Sequence, residues 1–186
     1  NPTLPAGSSW TWDEKTEQYY LHSFLEQQPD VNWRNPSVQD AMFEDLRFWL
    51  ERGVDGFRLD VANFILKDPQ LRDNPPNPDH ALFHKARGDY DSQLHIHDRA
   101  HPDVHVILRK IRALLDGYSG QTPRMAIGEL AVFTLEEWAS YYGANRDELH
   151  LPFNFSLLGV EWNAQAIRQI VELSEAVVPP GAWPNY

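Results

Sequence analysis

Cysteine is absent from this 186-residue chain, which excludes disulfides and thiol catalysis. A protein that needs no disulfide suits a reducing compartment, and a cytoplasmic location is the expectation. No apolar run approaches the length of a membrane span, and no charged stretch followed by an apolar one opens the chain. A membrane partner is therefore not expected. Basic residues are scarce as well: 16 Lys and Arg stand against 27 Asp and Glu, for a net charge of −11. Phosphate neutralisation needs cations, so nucleic acid is not an expected partner, whereas a neutral substrate fits. An initiating Met is missing too. The chain opens Asn1-Pro2, so it is expected to be processed or cut from a longer protein. What is present is enough for one sizeable core, with 42% hydrophobic residues. Seven Trp invite stacking against a ligand, although Trp is also a large core residue.

Punctuation along the chain divides it into elements. Trp10-Thr11-Trp12 and Tyr19–Phe24 flank the polar Asp13–Glu17, a β-hairpin pattern. Asn35 is positioned to cap a helix with Pro36 at its first turn. Val38, Met42, Leu46, Trp49 and Leu50 form its apolar stripe, and Gly53 ends it. Gly56–Asp60 reads as a strand. From about Lys67 to His101 the chain is polar and proline-rich, the length of loop that usually walls or covers a site. Pro102 opens a second helix with Val104, Ile107, Leu108, Ile111 and Leu115 on one face. A strand Met125–Glu129 follows, then a capping box Thr134-Leu135-Glu136-Glu137 leading a helix through Trp138 and Tyr142. Leu149–Phe155 reads as a third strand and Ala164–Leu173 as a fourth helix. Hairpin aside, the order is αβαβαβα, which right-handed crossovers turn into a parallel sheet covered by helices. Three strands are too few for an eight-stranded barrel, which takes about 250 residues, so an arc of one is expected.

The chemistry-bearing residues stand at the ends of two of those strands. Asp60 closes Gly56-Phe57-Arg58-Leu59-Asp60, and Glu129 closes Met125-Ala126-Ile127-Gly128-Glu129. A helix between the strands makes them parallel, with both acids at one C-terminal edge. Neighbouring strands lie about 4.8 Å apart, close to the roughly 5 Å between the two carboxyl groups of a retaining glycosidase. Alternation puts Arg58 and Asp60 on the same side of their strand. Arg58 should then hold Asp60 ionised, and anionic Asp60 should raise the pKa of Glu129, giving a nucleophile and an acid. The plain alternative is an ion pair capping a strand, with Glu129 merely a carboxylate at a helix start. His95, His97, Asp98, His101 and His105 suggest metal chelation, since His101 and His105 are four apart. No ordered ligand set is evident, and loop-packing histidines without a metal are the expectation.

Gly56-Phe57-Arg58-Leu59-Asp60-Val61-Ala62-Asn63 resembles the strand-four signature of the α-amylase superfamily of retaining glycoside hydrolases (glycoside hydrolase family 13). Ala126-Ile127-Gly128-Glu129 resembles its strand-five signature. Gln28-Pro29-Asp30-Val31-Asn32 is similar to the segment marking the oligo-1,6-glucosidase and α-glucosidase branch. Trp10–Asp13, Asn32–Pro36, Leu66–Pro69 and Phe153–Phe155 also look like that branch. The resemblance implies an α/β fold, part of a (β/α)₈ TIM barrel covering about strands 4 to 6. Residues 1–32 would be the end of a small inserted β-containing domain, and 33–186 the central arc of the catalytic barrel. It implies Asp60 as nucleophile, Glu129 as general acid/base, Arg58 as the arginine contacting nucleophile and substrate, and Val61 as a linkage-discriminating position that leans to α-1,6. The expected activity is hydrolysis of α-glucosidic bonds in short oligosaccharides or sucrose-like substrates, with transglycosylation or sucrose isomerisation as alternatives. A non-catalytic barrel relative, such as those serving amino-acid transporters, is the rival class. The family's third catalytic Asp and its histidines would lie outside the chain, so the isolated piece is expected to be inactive. No cofactor is implied, although a structural Ca²⁺ could sit elsewhere in the parent. No oligomeric state is implied.

Overall fold

The structure is a computed structural model that describes residues 7–78, 90, 92–120, 122–132 and 134–186. Part of the long loop read from Lys67 to His101 thus lies outside the described residues. The chain divides into two compact units, one of residues 1–39 with 64–101 and one of residues 40–63 with 102–186.

In the first unit, β1 (Trp10–Asp13) pairs antiparallel with β2 (Gln18–Leu21), as the aromatic pattern requires. Asp13 closes the tip, accepting from the Thr16 hydroxyl (2.6 Å) and the Lys15 amide (3.3 Å). Three of the segments that carry the family resemblance meet here. The Lys67 ammonium, largely buried, lies 3.0 Å from Asp30, and Arg34 donates twice to the Lys67 carbonyl, at 2.9 and 2.6 Å. These motifs cross-brace their unit.

α1 (Pro36–Leu50) begins as expected, with Asn35 Oδ1 accepting from the Ser37 amide at 3.0 Å. Gly53, at φ +89°, takes the left-handed conformation after its end. Its stripe is covered only in part: Leu50 is buried, whereas Trp49 is 52% exposed. Val38, Met42 and Leu46, further back along the stripe, are half-buried.

The second unit is built on a parallel sheet of order β3-β4-β5. β3 is Gly56–Leu59 and β4 is Met125–Gly128, in the register Gly56 opposite Met125 through Leu59 opposite Gly128. A Cβ on Gly56 would collide with the Met125 carbonyl, so glycine is what permits this close approach. The third strand is shorter than the sequence pattern suggests: β5 is Leu151–Pro152 alone. Pro152 offers no N–H, which fits an edge position. The pairing nevertheless continues through flanking amides, His150 donating to Ala126 (3.1 Å) and Phe153 to Gly128 (2.7 Å).

α2 (Val104–Tyr118) buries the five residues its periodicity selects, Val104, Ile107, Leu108, Ile111 and Leu115. α3 (Leu135–Ser140) starts at Thr134, whose hydroxyl accepts from the Glu137 amide at 3.1 Å. It stops two residues short of Tyr142, because Gly143 turns left-handed at φ +80° and both tyrosines go into the core. α4 runs further than expected, Ala164–Val177, capped by Asn163 and ended before Pro179. Among the described residues no helix is long and apolar enough to cross a membrane.

Candidate active site

The register of the sheet decides where the acids fall. Leu59 and Gly128 are partners, so Asp60 and Glu129 are the next residues on adjacent strands, both at the C-terminal edge. The Glu129 amide donates to the Leu59 carbonyl at 2.8 Å, carrying the pairing one residue past β4. Arg58 points to the same side and spans both acids. Its Nη1 donates to Asp60 Oδ1 at 2.6 Å, and its Nη2 donates to Glu129 Oε2. One guanidinium thus fastens two carboxylates that the chain separates by 69 residues.

The surroundings of the two acids differ. The Asp60 side chain is 73% exposed, and the Glu129 side chain only 24%. The hydrogen bond from Arg58 lowers the Asp60 pKa below the usual carboxylate value, helped by a hydrogen bond shared with Glu129. Glu129 is pushed upward, first by burial and then by hydrogen bonding to Asp60, against the opposing pull of Arg58. Burial is thus a larger cause of this rise than Asp60, the neighbour expected from the sequence to produce it. Two adjacent acids are driven in opposite directions, the pattern of an acid/base pair.

Val61 follows at φ +33°, a region that a β-branched residue adopts only under strain, on the order of 1–3 kcal/mol. The Val61 backbone N–H opposes part of the upward shift of Glu129, the smallest of its causes. The Ala62 amide donates to the Glu129 carbonyl at 2.8 Å. Glu129 is therefore held at its N–H by Leu59, at its C=O by Ala62 and at its carboxylate by Arg58. The resemblance picks out Val61 for its side chain, whereas no residue-type preference signals its left-handed backbone.

The histidines engage other partners. His95 stacks on Tyr90 and lies 2.8 Å from Asp98, and Nδ1 of His105 lies 2.6 Å from Glu148. His101 accepts from Arg34 at 3.2 Å. Among the described residues no group of three or more His, Cys, Asp or Glu is arranged to hold a metal ion. A cavity of about 670 Å³ lies in the first unit, bordered by Trp10, Tyr19, Asp30 and Trp33. The carboxylate pair does not line it. Three strands of a barrel give an open edge rather than a cup, so here chemistry is a better guide than concavity.

Comparison with known proteins accords with this geometry. The α-amylase catalytic-domain family matches residues 4–178. The chain is 38% identical over 180 residues to a probable α-glucosidase of Rhizobium meliloti, covering 94% of the chain and 32% of that protein. It is 36% identical over 157 residues to an oligo-1,6-glucosidase of Halalkalibacterium halodurans, covering 84% of the chain and 26% of that protein. Among solved structures, an α-glucosyl transfer enzyme superposes with a TM-score of 0.84 at 39% identity, over 98% of this chain and 34% of that one. The isomaltulose synthase of Protaminobacter rubrum does so with 0.77 at 27% identity, over 100% and 33%. The chain spans about a quarter to a third of the length of these relatives. It belongs to the α-amylase family, as an arc of that family's catalytic barrel.

Proposed function

We propose that the whole protein carrying this chain cleaves α-glucosidic bonds of short oligosaccharides with retention of configuration, by double displacement. Residues 1–32 belong to an inserted small domain, and 33–186 to the barrel arc that holds two of the catalytic groups. In the first step an Asp60 oxygen bonds to the anomeric carbon as the glycosidic C–O bond breaks, and Glu129 gives its proton to the departing oxygen. In the second, Glu129 takes a proton from water, whose oxygen bonds to the anomeric carbon and releases Asp60. The glucosyl group passes from the leaving oxygen to Asp60 and then to water, while Glu129 gives a proton to the leaving oxygen and regains one from water, so the reaction needs no cofactor. Arg58 keeps the nucleophile ionised, and Val61 borders the acceptor side, where it biases linkage preference.

The observation that carries this reading is the opposite displacement of two carboxylates bridged by one guanidinium at a shared strand edge. A strand-capping ion pair would need Arg58 and Asp60 but gives no reason for a half-buried Glu129 with a raised pKa on the same guanidinium. Transfer to a sugar instead of water uses the same first step. It is favoured by the likeness to an α-glucosyl transfer enzyme and an isomaltulose synthase, and product analysis with sucrose as donor separates the two. The direct test incubates the whole protein with 5-fluoro-α-glucosyl fluoride, which loses fluoride and traps the glucosyl-enzyme. Mass spectrometry of the digest should find the sugar on the peptide containing Asp60. A label on another carboxylate would refute the assignment.

A further inference from the structure

Asn63 is fully buried, with no exposed surface, although its amide could be solvated at no cost in a loop. Both ends of that amide are spent on one residue. Nδ2 donates to the Ala131 carbonyl at 3.0 Å, and Oδ1 accepts from the Ala131 amide at 3.2 Å. The side chain thereby imitates a strand backbone and adds a rung to the β3–β4 ladder after both strands have ended. Below that rung stand the Ala62 amide on the Glu129 carbonyl and the Glu129 amide on the Leu59 carbonyl, each at 2.8 Å. Glu129 thus lies between two fixed points, Leu59 before it and Ala131 two residues after it. Asp60 lies on the turn that leads into the single-turn 3-10 helix Ala62–Phe64, which carries Asn63.

We infer that Asn63 is a positioning residue for the acid/base: through Ala131 it locks the Glu129 segment against the Asp60 turn so that proton delivery stays aligned with nucleophilic attack. The inference rests on the proposed roles of Asp60 and Glu129. A buried amide that only filled space would satisfy its donor and acceptor on any neighbours. This one takes both peptide groups of the residue whose displacement would turn Glu129 away. Carboxylate misplacement by about 1 Å can cost on the order of 100-fold in rate, so the lock matters most where protonation limits the reaction.

The test uses Asn63→Asp, which keeps size and acceptor but cannot donate to the Ala131 carbonyl, and Asn63→Gln, which keeps the amide and displaces it by one methylene. In the whole protein, kcat/KM is measured for maltose and for a series of aryl α-glucosides of graded leaving-group acidity. Both variants should lose about 10–100-fold with maltose and poorly activated aryl glucosides, yet under about 3-fold with the dinitrophenyl glucoside, which departs without a proton. An equal loss across the series would make Asn63 structural only. Unchanged rates throughout would also overturn the inference, as would failure of both variants to fold. The 5-fluoro label distinguishes the two levels. If wild type labels at Asp60 while the variants keep the wild-type leaving-group slope, only the Asn63 role fails. If wild type does not label at Asp60, the assignment beneath it fails.

Discussion

Two carboxylate clusters in the second unit use the same chemistry to different ends. At the strand edge, Arg58 clasps Asp60 and Glu129. At α2, Glu148 is clasped by Arg109 on one oxygen (2.7 Å) and by His105 on the other (2.6 Å). The Glu148 side chain is 2% exposed and each of its oxygens has a cationic or donor partner, so nothing is left for a substrate to engage. Asp60 turns most of its surface to solvent and shares its arginine with a second acid. An arginine–carboxylate contact is thus uninformative by itself. The difference is whether the protein has already used the lone pairs, and whether a neighbouring acid is pushed the opposite way.

Crossed substitutions should break this comparison most sharply. Asp60→Ala should reduce turnover by on the order of 10⁴-fold or more while leaving the unfolding midpoint in urea nearly unchanged, since the removed group is exposed. Glu148→Ala should do the reverse: a loss of about 1–3 kcal/mol, read from the urea midpoint, with turnover per folded molecule retained. An active Asp60→Ala or an inactive but stable Glu148→Ala would exchange the two clusters' roles.

The pH dependence sharpens it further. On the proposed mechanism, activity of the whole protein requires Asp60 ionised and Glu129 protonated. The lowered Asp60 pKa puts the acid limb of kcat/KM below 3.8, and the raised Glu129 pKa puts the alkaline limb above 4.5. Arg58→Ala removes a downward pull from both groups, so both limbs should move to higher pH. Their contributions to stability run in opposite senses. That of Asp60 is present above 3.8 and is lost as pH falls through its lower folded value. That of Glu129 is present below 4.5 and is lost as pH rises through its higher folded value.

The smallest effect is expected at Val61. One side-chain contact in an apolar subsite is worth about 1–3 kcal/mol, so Val61→Thr should shift the ratio of isomaltose to maltose hydrolysis by roughly tenfold. It should leave the turnover of activated aryl glucosides within about 3-fold. Equal changes with both disaccharides would remove Val61 from linkage selection.

Sheet and site were legible where pattern and geometry coincide. The α2 stripe, the Asn35 and Thr134 caps and the alternation in β3 fix elements whose register then delivers Asp60 and Glu129 to one edge. Motifs supplied the rest of the resemblance, and several proved to be braces, as with Lys67 and Asp30. What could not be read depends on backbone partners distant in sequence. Val61 has strand-forming chemistry yet sits left-handed, held by the turn around Glu129. Asn63 looks like an ordinary loop residue until Ala131, 68 positions later, is brought against it. β5 shrank because Pro152 removes a donor, and α3 because core burial of Tyr141 and Tyr142 outweighed helical continuation.

The stereochemistry of azide rescue tests most directly whether one bridged pair is divided into nucleophile and acid/base. With an activated aryl α-glucoside, Glu129→Ala should form the glucosyl-enzyme on Asp60 and then stall, because water lacks its base. Added azide should restore turnover and give α-glucosyl azide, with configuration retained. Asp60→Ala with azide should give only the inverted β-azide, formed in a single displacement. Inversion from Glu129→Ala, or retention from Asp60→Ala, would contradict the assignment.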